Sequence, residues 1–185
     1  MRIVGGTHRG RKLFAPKGSG TRPTSDFVRE ALFDILGPAI EDAKFLDVYA
    51  GTGAVGIEAR SRGAREVILV EDDREALVTI RKNLVSLDLE AKVLPLDAKR
   101  AFARLTGDGL SFDFIFLDPP YDQAGESIEL AARFVDEGLL ANDGLVILEH
   151  RDKDRPATPA GLEISDKRRY GETGLAFFTK VGKEG

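Results

Sequence analysis

Between residues 44 and 150 the sequence alternates between short apolar runs and amphipathic ones, and this constrains the fold more than any other feature. "KFLDVYA", "REVILVE", "AKVLPLD", "FDFIFLD" and "GLVILEH" read as strands. "GAVGIEARSRG", "DREALVTIRKNLVSL", "AKRAFARLT" and "GESIELAARFVDEGLL" read as helices between them. The second of these helices places Leu77, Ile80, Leu84 and Leu87 on one face. The strands are mostly apolar along their whole length, as expected when helices cover both faces of a sheet. Strand-helix alternation with short connections predicts an α/β fold with a parallel sheet.

The two ends break the rhythm. "LEISDKRRYGETGLAFFTKV" holds two strand-like runs joined by a polar turn with no helix between them, which predicts an antiparallel hairpin closing the sheet. At the other end "MRIVGGTHRGRKLFA" reads as two short strands around a glycine-rich turn. "PKGSG" is a loop, and a helix then starts at Thr24 or Ser25. Val28, Ala31, Leu32, Ile35 and Leu36 repeat along it with helical period, and Gly37-Pro38 weakens or ends it. A length of 185 residues suits one domain with a small appendage, divided as an arm over residues 1–24 and a main domain over 25–185.

Charge separates the same two parts. Residues 1–30 carry seven basic side chains against Asp26 and Glu30, a surplus of +5, so the rest of the chain holds −9 of the net −4. A basic arm on an acidic body points to a localised anion-binding face. Cysteine is absent, which excludes disulfides, thiolate zinc sites and cysteine nucleophiles, and fits a reducing compartment. No apolar stretch approaches the roughly 18 residues that span a bilayer, and the N-terminus lacks a signal-peptide core. A soluble cytoplasmic protein is expected. His8 and His150 are isolated, so no metal site is expected.

Two motifs carry chemistry. Gly51-Thr52-Gly53-Ala54-Val55-Gly56 follows a strand and opens a helix, and Glu71 ends the next strand. Such a loop lets backbone approach a ligand closely, and the acid can accept hydrogen bonds from two ribose hydroxyls. Asp47, just before the glycines, is awkward beside a pyrophosphate and comfortable beside a cation. S-adenosylmethionine, with a sulfonium, an ammonium and a ribose but no phosphate, suits that pattern. Asp97 ends the third strand and could accept from an adenine amino group.

The second motif, Asp118-Pro119-Pro120-Tyr121, ends the fourth strand. The Asp118 carboxylate and the Pro119 carbonyl can accept the two hydrogens of an exocyclic amine. That draws its nitrogen toward a tetrahedral shape. Pro120 removes a competing backbone donor and stiffens the turn. Tyr121 can stack on a base taken out of its helix. Such a corner suits methylation of a base amine with most of the rate gain from positioning and electrostatics.

"LDVYAGTGAVGIEA" and "LDPPY" resemble the glycine-loop and catalytic motifs of S-adenosylmethionine-dependent amino-methyltransferases. With "RIVGGTHRGRKL…TRPTSDFVREALFDIL" and "YGETGLAFF" added, nearly the whole chain resembles the RsmD family, the bacterial 16S rRNA (guanine-966-N2) methyltransferases. The resemblance implies a seven-stranded, Rossmann-like class I methyltransferase fold with an antiparallel last strand. It implies cofactor contacts at Asp47, Gly51, Thr52, Gly53, Glu71 and Asp97, with neighbouring Ala50, Asp72 and Ala98 as further candidates. It implies target-base contacts at Asp118, Pro119 and Tyr121, beside Pro120, and S-adenosylhomocysteine as the product. Arg22, Thr24 and Arg29 would lie toward the RNA, and Arg9, Arg11 and Lys12 join them as candidates on charge. The expected partner is 16S rRNA, within a partly or fully assembled 30S particle, and the expected state is a monomer. Where family members often carry Lys after the second-strand glutamate, this chain has Asp72-Asp73. Rival readings are an amino-methyltransferase acting on adenine N6 or a protein glutamine, a nicotinamide-dependent oxidoreductase using the same glycine loop, and a non-catalytic RNA-binding module.

Overall fold

The apolar run that opens the alternating region forms β1, Lys44–Val48, buried from Phe45 onward. In the computed structural model, which describes residues 1–15, 24–120, 124–154 and 156–182, β1 pairs in parallel with β2, Glu66–Val70. The register runs from Lys44↔Glu66 to Val48↔Val70. β2 pairs in parallel with β3, Lys92–Leu94. β3 is shorter than the sequence run because Pro95 has no amide proton to extend the ladder.

Helix α1, Asp26–Leu36, starts where Ser25 Oγ accepts from the Val28 amide at 3.2 Å, with Asp26 in the first turn where its charge opposes the helix dipole. Val28, Leu32 and Leu36 are buried as their spacing predicts, but Ile35 faces outward. The helix ends at Gly37 and continues as one 3-10 turn, Gly37–Ile40. Helices α2, Ala54–Ser61, and α3, Arg74–Leu87, follow β1 and β2. Leu77, Ile80, Leu84 and Leu87 form the buried face of α3. These elements belong to one compact unit, Met1–Ala98.

The second unit, Lys99–Gly185, holds nearly all of α4, Ala98–Gly107. It continues with β4, Phe112–Leu117, α5, Ala124–Asp136, and β5, Leu140–Arg151. The last two strands are β6, Leu162–Tyr170, and β7, Thr173–Lys180. β4 and β5 are parallel; β7 lies antiparallel to both β5 and β6, which is the expected closing hairpin. The strand order is β3-β2-β1-β4-β5-β7-β6. β5 begins four residues earlier than the apolar run at Gly144 suggests. Phe112 pairs with Leu140 and its amide donates to the Leu139 carbonyl, so the polar Asn142 and Asp143 are drawn into the strand around a register shift. Among the described residues no helix is long and apolar enough to cross a membrane.

The expected N-terminal hairpin is reduced to one antiparallel bridge, Arg2↔Lys12, supported by Ile3 N donating to Arg11 O and Leu13 N donating to Met1 O. The glycine turn between them lies hard against α2. A Cβ on Gly6 would sit 1.9 Å from the Ser61 carbonyl oxygen, and Gly6 also has φ of 73°. Gly10 has a similar φ of 83°, yet a Cβ there meets no atom of the described residues within 4 Å. Gly6→Ala therefore carries both backbone strain and a clash with main chain, whereas Gly10→Ala carries strain alone. In denaturant unfolding Gly6→Ala is expected to lose about 2 kcal/mol or more. The Gly10→Ala loss should be smaller by about 1 kcal/mol. Equal losses would show that the turn does not press on α2.

Candidate functional site

The glycine loop begins with strain. Tyr49, directly after β1, has φ of 68°, a left-handed backbone costing on the order of 1–3 kcal/mol for a bulky residue. Gly51 and Gly53 follow at 55° and 77°. The turn is closed by Ala50 N donating to Val70 O at 2.8 Å and Gly53 N donating to Ala50 O at 2.7 Å. A Cβ on Gly51 would meet no atom of the described residues within 4 Å. A Cβ on Gly56 would stand 2.2 Å from Leu69 Cδ2, so the last glycine lets α2 lie directly on β2.

The acids around the loop have definite partners. Asp47 is buried, and its Oδ2 accepts from the Gly56 amide at 2.9 Å, placing a negative charge against the first turn of α2. Glu71 Oε2 accepts from the Gly51 amide at 2.7 Å, and Oε1 accepts from the amides of Asp72 and Asp73, both at 2.9 Å. Three of roughly four acceptor positions on this carboxylate are in use. Glu71 N donates to Leu94 O, which brings the end of β3 beside it. Asp97 follows β3, half-buried, and directly precedes Ala98, the first residue of α4. Asp47, Ala50, Gly51, Thr52, Gly53, Glu71 and Asp72 thus gather at the ends of β1 and β2. In the second unit β4 stops at Leu117; Asp118 is half-buried, Pro119 buried and Pro120 exposed. Tyr121 and Arg22 lie outside the described residues.

The candidate RNA-binding residues of the first 30 positions divide into two sets. Arg9, Arg11 and Lys12 are exposed, and Arg11 Nη2 donates to Ser86 O at 2.8 Å. Thr24 and Arg29, expected to face RNA, are buried instead. Arg29 Nη1 donates to Thr24 O at 3.0 Å, and Nη2 to Arg2 O and to Asp26 Oδ1. Among the described residues its Nε has no hydrogen-bond acceptor, but it lies 3.9 Å from Glu58 Oε2. A guanidinium there satisfies carbonyls from both ends of the arm, which phosphate cannot reach. Burial raises the Asp26 carboxyl, but the hydrogen bonds from Arg29 and the Arg2 amide and the Arg29 charge outweigh it, so its pKa lies below the usual carboxylate value. The stability it contributes is complete above its unfolded value near pH 4 and is lost as pH falls through the lowered folded one.

Three polar residues that the sequence reading passed over hold the arm in place. Glu58, fully buried on α2, accepts from the amides of Val4 and Gly5 at 2.9 and 2.6 Å and from Arg62 Nε at 2.9 Å. Ser61 Oγ donates to Gly5 O and accepts from His8 N. Asn83, also fully buried, bonds to Phe14 and Thr52. The available signal was position: Asn83 stands three residues after Ile80 and four before Leu87, on the apolar face of α3.

A mixed sheet of this order, closed by a C-terminal antiparallel hairpin and carrying a glycine loop after β1, defines a Rossmann-like class I methyltransferase. A family model described as Conserved hypothetical protein 95 matches residues 1–179. Ribosomal RNA small subunit methyltransferase D of Escherichia coli K12 is 36% identical over 97% of this chain and 90% of its own length. The YlbH protein of Bacillus subtilis strain 168 is 39% identical over 98% of this chain and 100% of its own. Among solved structures, the yhhF protein of Escherichia coli superposes with a TM-score of 0.83 at 33% identity, covering 99% of both chains. The chain belongs to this family, the RsmD methyltransferases.

Removing the buried guanidinium tests the assignment of Arg29 to the fold. Arg29→Ala removes a buried cation from beside Glu58 and one donor from each of the Thr24 and Arg2 carbonyls. It should cost about 3–5 kcal/mol in chemical unfolding. Arg29→Lys should recover only part of this, because an ammonium cannot span three separated acceptors. A stable Arg29→Ala protein would return this residue to the solvent-facing set.

Proposed function

We propose that this protein methylates the exocyclic N2 amine of a guanine in 16S ribosomal RNA, using S-adenosylmethionine and releasing S-adenosylhomocysteine. The observation that carries this reading is the Asp118-Pro119-Pro120-Tyr121 corner directly after β4 in a chain matched nearly end to end by RsmD relatives. The relative in Escherichia coli is named for the small ribosomal subunit's RNA, which supports the same substrate class here.

The donor set around the glycine loop fits this cofactor better than a dinucleotide. The Gly56 amide, in the first turn of α2 where a pyrophosphate would seek donors, is already taken by Asp47. The nearby side chains Asp47, Glu71 and Asp72 are acidic, which suits a sulfonium and an ammonium. In this reading Asp47, Ala50, Gly51, Thr52 and Gly53 form the wall of the cofactor site. Glu71, Asp72, Asp97 and Ala98 hold the ribose and adenine. Bound there, S-adenosylmethionine supplies an activated methyl group.

The second unit serves the acceptor. Asp118 and the Pro119 carbonyl accept hydrogen bonds from the two amine N–H groups, which loosens the nitrogen lone pair from the ring and directs it out of plane. Pro120 keeps a competing donor away, and Tyr121 stacks on the extruded base. Asp118 is the nearest candidate in the motif to receive the departing proton. Positioning of this kind supplies the rate gain without a covalent enzyme intermediate. Residues 1–24 serve as an RNA-facing arm through Arg9, Arg11, Lys12 and Arg22, and residues 25–185 as the methyltransferase domain. The RNA is met in the cytoplasm within a partly or fully assembled small subunit, by a monomer.

Incubation with labelled cofactor and separate pools of ribosomal RNA, DNA and protein, followed by mass-spectrometric mapping of the product, tests the substrate. Label in DNA or protein alone would overturn it. Asp118→Ala and Tyr121→Ala are each expected to remove at least about 99% of turnover, of the order seen when a transition-state hydrogen bond is deleted. S-adenosylhomocysteine affinity should stay within about threefold of the parent, since neither side chain is assigned to that ligand. Neutralising Arg9, Arg11 and Lys12 together should weaken RNA binding and flatten its dependence on salt by a slope of about 2–3. An unchanged slope would remove the arm from the phosphate contacts.

A further inference from the structure

We infer that Asn83 is a positioning residue that ties the glycine loop to the N-terminal arm, so that RNA on the arm and cofactor on the loop strengthen each other's binding. This rests on the reading above, in which the loop holds cofactor and the arm meets RNA.

The side chain of Asn83 is fully buried and is shared between two segments. Its Nδ2 donates to the Thr52 carbonyl, inside the glycine loop, at 3.0 Å. The same Nδ2 donates to the Phe14 carbonyl at 3.1 Å, and Oδ1 accepts from the Phe14 amide at 2.7 Å. Both donor hydrogens of the amide are committed, one to the loop and one to the arm. The two bonds to Phe14 clamp the arm's main chain as a neighbouring strand would.

Neighbouring contacts make the clamp rigid at both ends. Lys82, one residue earlier on α3, places its Nζ 3.7 Å from the Phe14 ring centroid. Ser86, three residues later, accepts from Arg11. At the loop, Gly51 is held from the other side by Glu71. Thr52 Oγ1 also lies 3.8 Å from Met1 Sδ, so the first residue of the arm reaches the same turn. The planar amide cannot follow a shift of Phe14 without turning its other N–H away from Thr52. In a buried setting an abandoned carbonyl is costly, so loop and arm move as one piece. Arg9, Arg11 and Lys12 precede Phe14 by only a few residues, and Phe14 itself is half-exposed. Restraint of this segment by RNA would therefore pre-form the loop, and by linkage the loop's ligand would restrain the arm to the same degree.

The test uses the full chain, S-adenosylhomocysteine and a 16S rRNA transcript assembled with small-subunit proteins, whose binding to the protein is confirmed first. Calorimetry should show the thioether binding about fivefold or more tighter with the transcript present. Hydrogen exchange on the unaltered protein should show saturating S-adenosylhomocysteine slowing the Phe14 amide as well as those of the glycine loop. In Asn83→Ser, whose side chain is too short to span both partners, the fivefold gain should fall to about one while the thioether still binds. Binding that protects the loop amides but leaves Phe14 unchanged, with equal affinity in both titrations, overturns the coupling alone. Retention of the full gain in Asn83→Ser also overturns it. Failure of S-adenosylhomocysteine to bind the unaltered protein overturns the cofactor reading, and the coupling with it. Should Asn83→Ser fail to fold, the exchange result on the unaltered protein decides.

Discussion

The first unit depends on one close approach, that of α2 to β2 at Gly56. With no side chain there, the helix lies against Leu69 and its amide reaches the buried carboxylate of Asp47. The chain can make that approach only by turning sharply after β1, which is why Tyr49, Gly51 and Gly53 all take left-handed backbone angles. Strain at Tyr49 is held by the strand bonds before it and the helix after it. The same turn carries Gly51, Thr52 and Gly53, so strand packing and candidate ligand site arise from one geometric demand.

The helix seated in this way carries a second consequence. Its outer side is polar in an unusual manner, with Glu58 and Ser61 buried beneath the N-terminal segment. A buried carboxylate is tolerable only when its acceptor positions are filled and cations stand near. Here Val4, Gly5, Arg62 and Arg29 fill that role. The basic stretch of residues 1–30 is therefore two things at once. The charge of Arg29, on α1, is consumed internally beside Glu58, and that of Arg9, Arg11 and Lys12 stays at the surface. Charge counting along the sequence cannot separate these parts, since a guanidinium adds the same +1 in either place.

The far edge of the second unit follows a different logic. β6 exposes most of its residues and carries Lys167, Arg168 and Arg169, with Arg168 paired to Asp166 and Arg169 to Asp152. Charges along an outermost strand discourage pairing with another chain. That role accounts for these arginines without any ligand. His150 is similarly structural: its ring packs on Gly174, where a Cβ would come within 2.3 Å of it, and its Nδ1 lies 2.7 Å from the Arg151 carbonyl oxygen.

The alternating apolar runs, Gly51-Thr52-Gly53 and Asp118-Pro119-Pro120-Tyr121 sufficed to read the strands, the helices, the class of fold and the class of enzyme. Each is a local signal: periodicity reports a buried face, glycine a turn, proline a stop. The antiparallel ending at 162–181 was legible for the same reason, because no helix intervenes. Element ends were less so. β3 stops early at Pro95, and β5 starts early because Leu140 finds a partner in Phe112, a residue 28 positions away. The inward turn of Arg29 and Thr24, and the roles of Glu58, Ser61 and Asn83, were decided by tertiary structure. Each depends on a backbone group brought from 5 to 69 residues away, as Phe14 is to Asn83. A polar side chain in a sequence shows what it can bond to; only the folded chain determines which partner arrives.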